Sequence, residues 1–139
     1  MNLQENISRI KRILNLIGED ISFDTIDVLQ TGEDTGEFKF IVNGETSGMM
    51  KGTRDGNTLW IDRIVVYPKW RGKGTGEKFL MYYLDKFGGE VGSKSQLRNR
   101  FATRMWERII NRDDINSEVG EIYSEYQNGI IPTFRVWKK

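Results

Sequence analysis

The sequence predicts a single mixed α+β domain, with a mostly antiparallel central sheet flanked by helices. Three observations carry that prediction. Asn43-Gly44 and Asp55-Gly56 separate runs with strand character, and such pairs supply the positive φ angles that tight hairpin turns need. A glycine-rich turn, Arg71-Gly72-Lys73-Gly74-Thr75-Gly76, joins the longest of these runs to a helical pattern. Asn128-Gly129 then divides two further β-like runs at the end of the chain.

Taken in order, Leu3, Ile7, Ile10, Leu14 and Ile17 fall on one face of a helix. Asn2 with Glu5 reads as its capping box, and Gly18 as its stop. A short strand is placed at Thr25 to Leu29. The meander comprises Glu37 to Val42, Glu45 to Lys51 and Thr58 to Tyr67. Simple alternation along the last run puts Trp60, Asp62, Ile64 and Val66 on one face, and Ile61, Arg63, Val65 and Tyr67 on the other. Pro68 ends that strand because it has no N–H for the ladder.

After the glycine turn, Phe79, Leu80, Tyr83, Leu84 and Phe87 define a helix closed by Gly88-Gly89. Glu90 to Ser93 reads as a short strand. Ser95 is placed as the cap of a further helix holding Leu97, Phe101, Met105 and Ile109. Val119 to Gln127 and Ile130 to Trp137 form the last hairpin, with Pro132 setting the final strand partly at an edge. No internal repeat or linker divides the chain, so residues 1–139 are read as one domain.

Composition narrows the chemistry. The chain has 139 residues, no Cys, no His and a formal net charge of +1. Thiolate nucleophiles and Cys-based zinc sites are excluded, as is the commonest general base. Carboxylates, hydroxyls, Lys, backbone groups or a bound cofactor must do the work, which favours a cofactor that arrives already activated. No apolar run is long enough to span a bilayer and no signal-peptide pattern opens the sequence, so the expectation is a cytoplasmic protein with no membrane partner.

The glycine turn sits where a strand ends and a helix begins. First-turn N–H groups have no partner within the helix and lie at the positive end of its dipole, which suits a pyrophosphate. Gly72, Gly74 and Gly76 let phosphate approach the main chain, and Arg71 and Lys73 add positive charge at the rim. The segment lacks the Gly-Lys-Ser/Thr ending of a P-loop. Antiparallel hairpins before it also argue against a dinucleotide-binding βαβ unit.

Val66-Tyr67-Pro68-Lys69-Trp70-Arg71-Gly72-Lys73-Gly74-Thr75-Gly76 resembles the Val-x-Pro-x-x-Arg-Gly-x-Gly-x-Gly pattern of the GNAT acetyltransferase family. Farther on, Asn99-x-x-Ala102-x-x-Met105-Trp106-Glu107-Arg108 is similar to that family's Asn-x-x-Ala-x-x-Leu-Tyr-Glu-Lys stretch. The resemblance covers Trp60 to about Ile110 and implies a GNAT-like sheet. It further implies that acetyl-CoA or another acyl-CoA is the cofactor, and that the acyl group passes directly to an amine of a small molecule or protein. The backbone at Ile64, Val65 and Val66 would pair with the pantetheine arm, and the N–H groups from Arg71 to Gly76 would hold the pyrophosphate. Asn99 would reach the cofactor from the later helix, where Ala102 leaves room for it. A backbone N–H, placed at Val66, would polarise the thioester carbonyl.

Deprotonation of the amine asks for a carboxylate near the thioester. Asp62 is the candidate, with Glu45 and Glu37 as alternatives; the competing reading of Asp62 is a strand carboxylate paired with Arg63 or another cation. One position departs from the family pattern. Trp106 stands where many members carry a tyrosine that protonates the leaving thiolate, and indole cannot do so. Water, Tyr83, Tyr82, Ser93, Ser95 or unassisted departure are the options. The segment from Lys94 to Arg104 is locally basic. It reads as a solvated helix face, or as a surface for an anionic substrate including nucleic acid. A nucleic-acid-modifying enzyme of phage type and a non-catalytic binding or inhibitor module are the alternative functions.

Overall fold

The computed structural model describes residues 26–31, 36–95 and 98–139. The helix expected from Leu3 to Ile17 lies outside them. Strands β1 (Asp27–Gln30), β2 (Glu37–Val42), β3 (Glu45–Asp55) and β4 (Thr58–Val66) form the antiparallel meander. Strand β5 (Glu90–Ser93) joins β4 in parallel, and β6 (Ile115–Ser124) and β7 (Gly129–Lys138) complete the sheet in the order β1-β2-β3-β4-β5-β7-β6. Helices α1 (Thr75–Phe87) and α2 (Arg100–Ile110) pack into one core with the sheet.

The glycine-containing turns form as expected, with Asn43, Gly44 and Asn128 at positive φ. Most differences from expectation lie at element ends. β3 continues to Asp55, and β6 begins at Ile115, four residues before the predicted start. β6 is an edge strand with little burial, so it leaves no alternating apolar pattern to read. Pro132 pairs with Glu121 of β6, but β5 meets β7 only over Phe134 to Trp137. At Pro132 the other flank of β7 is therefore open, and the Arg98 guanidinium donates to the Pro132 carbonyl there.

The core is aromatic and tightly layered. Phe40 stacks on Phe79 of α1 with ring centroids 4.0 Å apart. A Cβ at Gly48 would come within 2.6 Å of that Phe79 ring and 2.3 Å of the Val65 carbonyl, so only glycine fits. Trp106 is 2% exposed and stacks on Phe134, which makes it a core residue. Helix α2 starts at Arg100, capped by the Asn99 side chain, which accepts the Ala102 N–H at 2.8 Å. Ser95 is thus not the cap, and Phe101 is 72% exposed instead of packed in the core.

A β-bulge in β4 re-sorts its faces. Lys51 pairs with Arg63, yet Gly52 pairs with Ile61, so Asp62 is the extra residue. Buried Leu59 and Ile61 lie on the helix side, and the bulge returns Ile64 and Val66 to that same side. Trp60 and Asp62 therefore face the opposite way from Ile64 and Val66. The expectation that all four share a face is corrected, because alternation by two fails across an inserted residue.

Glu90 fastens the parallel junction: it accepts the Thr58 hydroxyl at 2.7 Å and an Arg135 N–H at 2.8 Å. The Thr58 hydrogen bond, and after it Arg135, hold its carboxyl below the ordinary value of 4.5. A depressed carboxylate contributes stability above its unfolded value and loses it as the pH falls. Urea midpoints are accordingly expected to drop as the pH is taken below 4.5, and Glu90→Gln should flatten part of that dependence.

Candidate active site

β4 and β5 pair only over Thr58–Trp60 with Glu90–Gly92. Beyond Trp60, β4 runs on without that neighbour, leaving its edge open where the two strands part. The Tyr67 N–H donates to the Ser47 carbonyl at 2.9 Å. Alternate residues of an antiparallel pair turn their polar groups to the partner strand. Val65 thus shares the phase of Tyr67 and points its main chain at β3, while Ile64 and Val66 present theirs at the open edge.

The glycine turn meets that edge. Pro68–Trp70 form a short 3-10 turn that buries Trp70 and carries the chain to α1. The Arg71 Nε donates to the Val66 carbonyl at 2.8 Å, tying the turn to the strand and occupying that carbonyl. Gly72 and Gly74 have φ of 78° and 68°, in the left-handed region that favours glycine. Gly74 is the N-cap of α1 and supplies no side-chain cap, so the first N–H groups of α1 remain open to a ligand. The Thr75 hydroxyl is turned inward onto the Trp70 carbonyl.

Helix α2 forms the opposite wall. Asn99, Phe101, Ala102, Met105 and Arg108 line a cleft of about 570 Å³ together with Ile64, Val66, Arg71, Gly72, Gly74, Thr75, Gly76 and Glu77. A Cβ at Gly76 would stand 3.0 Å from the Met105 sulfur, so the absent side chain keeps the floor open. The Asn99 carbonyl oxygen is committed to the cap, leaving its amide N–H₂ for a ligand. Glu77 would repel a phosphate, but Arg112 at 2.7 Å and Arg108 at 3.4 Å hold its carboxylate. Arg112 is itself raised above its ordinary value by Asp114 and then Glu77, and stays charged.

Of the residues picked out from sequence, nine line this cleft. Val65 does not, for the phase reason above, and neither does Lys73, whose carbonyl accepts the Lys78 ammonium. Glu77, Phe101, Met105 and Arg108 were missed as lining residues. The spacing of Phe101, Met105 and Arg108 puts them on one face of α2, beside Ala102, and that spacing was the available signal.

Asp62 lies elsewhere, in a second pocket of about 510 Å³ with Thr53, Trp60, Lys94 and Ser95. The Thr53 hydroxyl donates to its Oδ2 at 3.4 Å. Glu45 is ion-paired to Lys69 and Glu37 to Lys51, and neither lines either pocket. Among the hydroxyls considered as proton donors, Tyr83 is in the core and accepts from Arg54. Tyr82 lines a small pocket near β1. Ser93 is buried against Arg98. Ser95 alone of these four lines the Asp62 pocket.

The basic segment divides. Arg98 is 8% exposed and donates to Ser93, Thr103 and Pro132, and burial lowers its pKa. It pins α2 to the hairpin. Arg100 and Arg104 border a groove with Glu107 and Ile130. No helix among the described residues is long and apolar enough to cross a membrane.

An open strand edge, a glycine-built helix start and a capping Asn on the facing helix converge on one cleft. The sequence model described as Acetyltransferase (GNAT) family matches residues 18–110, well over half of the chain, and the chain belongs to that family. Its fold is similar to that of a protein assigned as a streptothricin acetyltransferase from Bacillus anthracis, solved with acetyl coenzyme A. That pair has 13% identity and a TM-score of 0.54, with 78% of this chain and 65% of that one covered. Nourseothricin acetyltransferase is also similar, at 16% identity and a TM-score of 0.49, with 76% and 66% covered. A Bacillus subtilis acetyltransferase solved with CoA has 14% identity and a TM-score of 0.44, with 77% and 78% covered. At these identities the likeness is one of fold. No curated protein matches the chain in sequence.

Proposed function

We propose that this protein is an acyl-CoA-dependent N-acyltransferase that binds acetyl-CoA in the cleft between β4 and α2 and passes the acyl group to an amine. The convergence of the open β4 edge, the uncapped glycine start of α1 and Asn99 on one cleft carries this reading. Family membership and the acetyl coenzyme A held by the structurally similar Bacillus anthracis protein support it.

The residues present fit the donor. The Ile64 main chain would pair with the pantetheine arm, as a further strand does, while Arg71 keeps the Val66 carbonyl and the Val66 N–H is left for the thioester. The N–H groups from Gly72 to Gly76, at the positive end of α1, would hold the pyrophosphate, and Arg71 adds a charge there. Bound in this way, acetyl-CoA supplies an already activated acyl thioester. The Val66 N–H is the group placed to donate to the developing oxyanion.

Asp62 is proposed as the base. It sits at the bulge two residues before Ile64 but on the other face of the sheet, so the amine would approach from the Asp62 pocket and the donor from the helix side. Asp62 takes the ammonium proton, directly or through water, and Ser95 is the nearest candidate to return one to the thiolate. With Trp106 buried against Phe134, that position has no part in proton transfer. Free-thiol release from acetyl-CoA should rise with added primary amines, drawn from polyamines, aminoglycosides and lysine or N-terminal peptides. No amine-dependent release across that set would overturn the reading.

A further inference from the structure

We infer that Lys94 is an intramolecular acyl acceptor, so that the protein acetylates its own side chain when no external amine fills the Asp62 pocket. The inference rests on the acyl-transfer reading and names one acceptor for that site. Lys94 follows the last residue of β5, at the point where β5 parts from β4. It lines the pocket that holds Asp62, with its ammonium 4.5 Å from the centre of the Trp60 ring. An alkylammonium is therefore already seated where the acceptor is proposed to enter, on an aromatic face suited to a cation.

Other lysines differ from it. Lys51, Lys69, Lys86 and Lys138 are held by carboxylates at 3.6, 2.8, 2.7 and 2.7 Å, and Lys78 donates to a main-chain carbonyl. Lys94 makes no ion pair among the described residues; the same holds for Lys39, Lys73 and Lys139, but of these four only Lys94 lines the Asp62 pocket. Among the described residues its ammonium is seen in contact with Trp60, and the four-carbon arm has the rotatable bonds to turn toward the open β4 edge.

The transfer balances without a further reactant. One ammonium proton passes to Asp62, and the freed lone pair on Nζ forms an amide bond to the acyl carbon. The carbon–sulfur bond breaks and coenzyme A leaves. The second proton lost from nitrogen ends on the thiol or in solvent. Acetylation removes the positive charge and leaves a neutral amide arm over Trp60, which would narrow the pocket to other amines.

The test is intact-mass and peptide mass spectrometry of the purified protein incubated with acetyl-CoA alone. One acetyl group on Lys94 is expected, at a rate per molecule that does not change with protein concentration. Asp62→Asn should slow it at least tenfold and K94R should abolish it. A second readout needs no acyl donor: reductive methylation with ¹³C-formaldehyde should give a Lys94 methyl signal shifted upfield by the Trp60 ring, and lost in Trp60→Leu. Acetyl groups scattered over exposed lysines, or a Lys94 rate equal to that of Asp62→Asn, would overturn the proposal. If the protein acetylates external amines but never Lys94, this inference fails and the enzyme reading stands. If it modifies neither, both fail.

Discussion

Gly74→Val is expected to weaken acetyl-CoA binding by about 100-fold or more while the protein stays folded. Gly74 adopts φ 68° at the N-cap of α1, and a β-branched residue there pays about 1–2 kcal/mol for the left-handed conformation. The chain would relieve that strain by turning the peptide, which swings N–H groups away from the phosphate position. Charge-assisted hydrogen bonds are worth about 1.5–3 kcal/mol each, so losing one or two accounts for the factor. Among the described residues nothing beyond its chain neighbours lies within 4 Å of the added Cβ, so the damage falls on the ligand.

Two companions separate strain from occlusion. Gly76→Leu keeps ordinary helical backbone and grows a side chain into the cleft beside Met105; it should lose affinity comparably. Gly44→Val puts the same left-handed strain, at φ 79°, in a distant hairpin turn, and should lower stability without touching affinity. Titration calorimetry on the three variants reads all of this directly. Unchanged affinity in both Gly74→Val and Gly76→Leu would remove the glycine turn from the binding site.

Asp62→Asn is expected to cut kcat by about 100-fold or more, the usual range for losing a positioned base, with the Kd for acetyl-CoA unchanged. The two halves of this prediction rest on different observations. Loss of turnover follows from the role of base proposed for Asp62 in a chain without His; Asp55 is the other carboxylate that lines the pocket. Retained affinity follows from the bulge, which turns Asp62 away from the face that Ile64 and Val66 present to the donor. Wild-type turnover in the variant would take Asp62 out of the mechanism. Lost cofactor affinity would contradict the two-sided arrangement.

Much of this was legible in the sequence, and what was not has identifiable causes. The turns were readable because Asn-Gly, Asp-Gly and the glycine hexapeptide demand backbone angles that few residues adopt. The cleft was readable on its β4 side because Ile64 to Gly76 are close in sequence and lie either side of one turn, whereas its α2 wall came through the resemblance at Asn99 and Ala102. The bulge at Asp62 was not, since an inserted residue depends on the partner strand and leaves no mark in a period-two pattern. It parted Asp62 from Ile64 and Val66, and left it with Trp60, Lys94 and Ser95. Phe101 was misread because helical spacing says which residues share a face but not whether a cleft or a core meets that face. Trp106 was read by its family position as a missing acid, while packing against Phe134 makes it structural.

Calorimetric titration of the wild-type protein with acetyl-CoA, set beside adenosine diphosphate, tests the central claim most directly. The account predicts one saturable site per chain for acetyl-CoA. Adenosine diphosphate, which has the pyrophosphate but not the pantetheine arm, should bind the same site at least about tenfold more weakly, because the open β4 edge then gains no strand-like partner. No acetyl-CoA binding at millimolar concentration, or equal affinity for the two ligands, would contradict it.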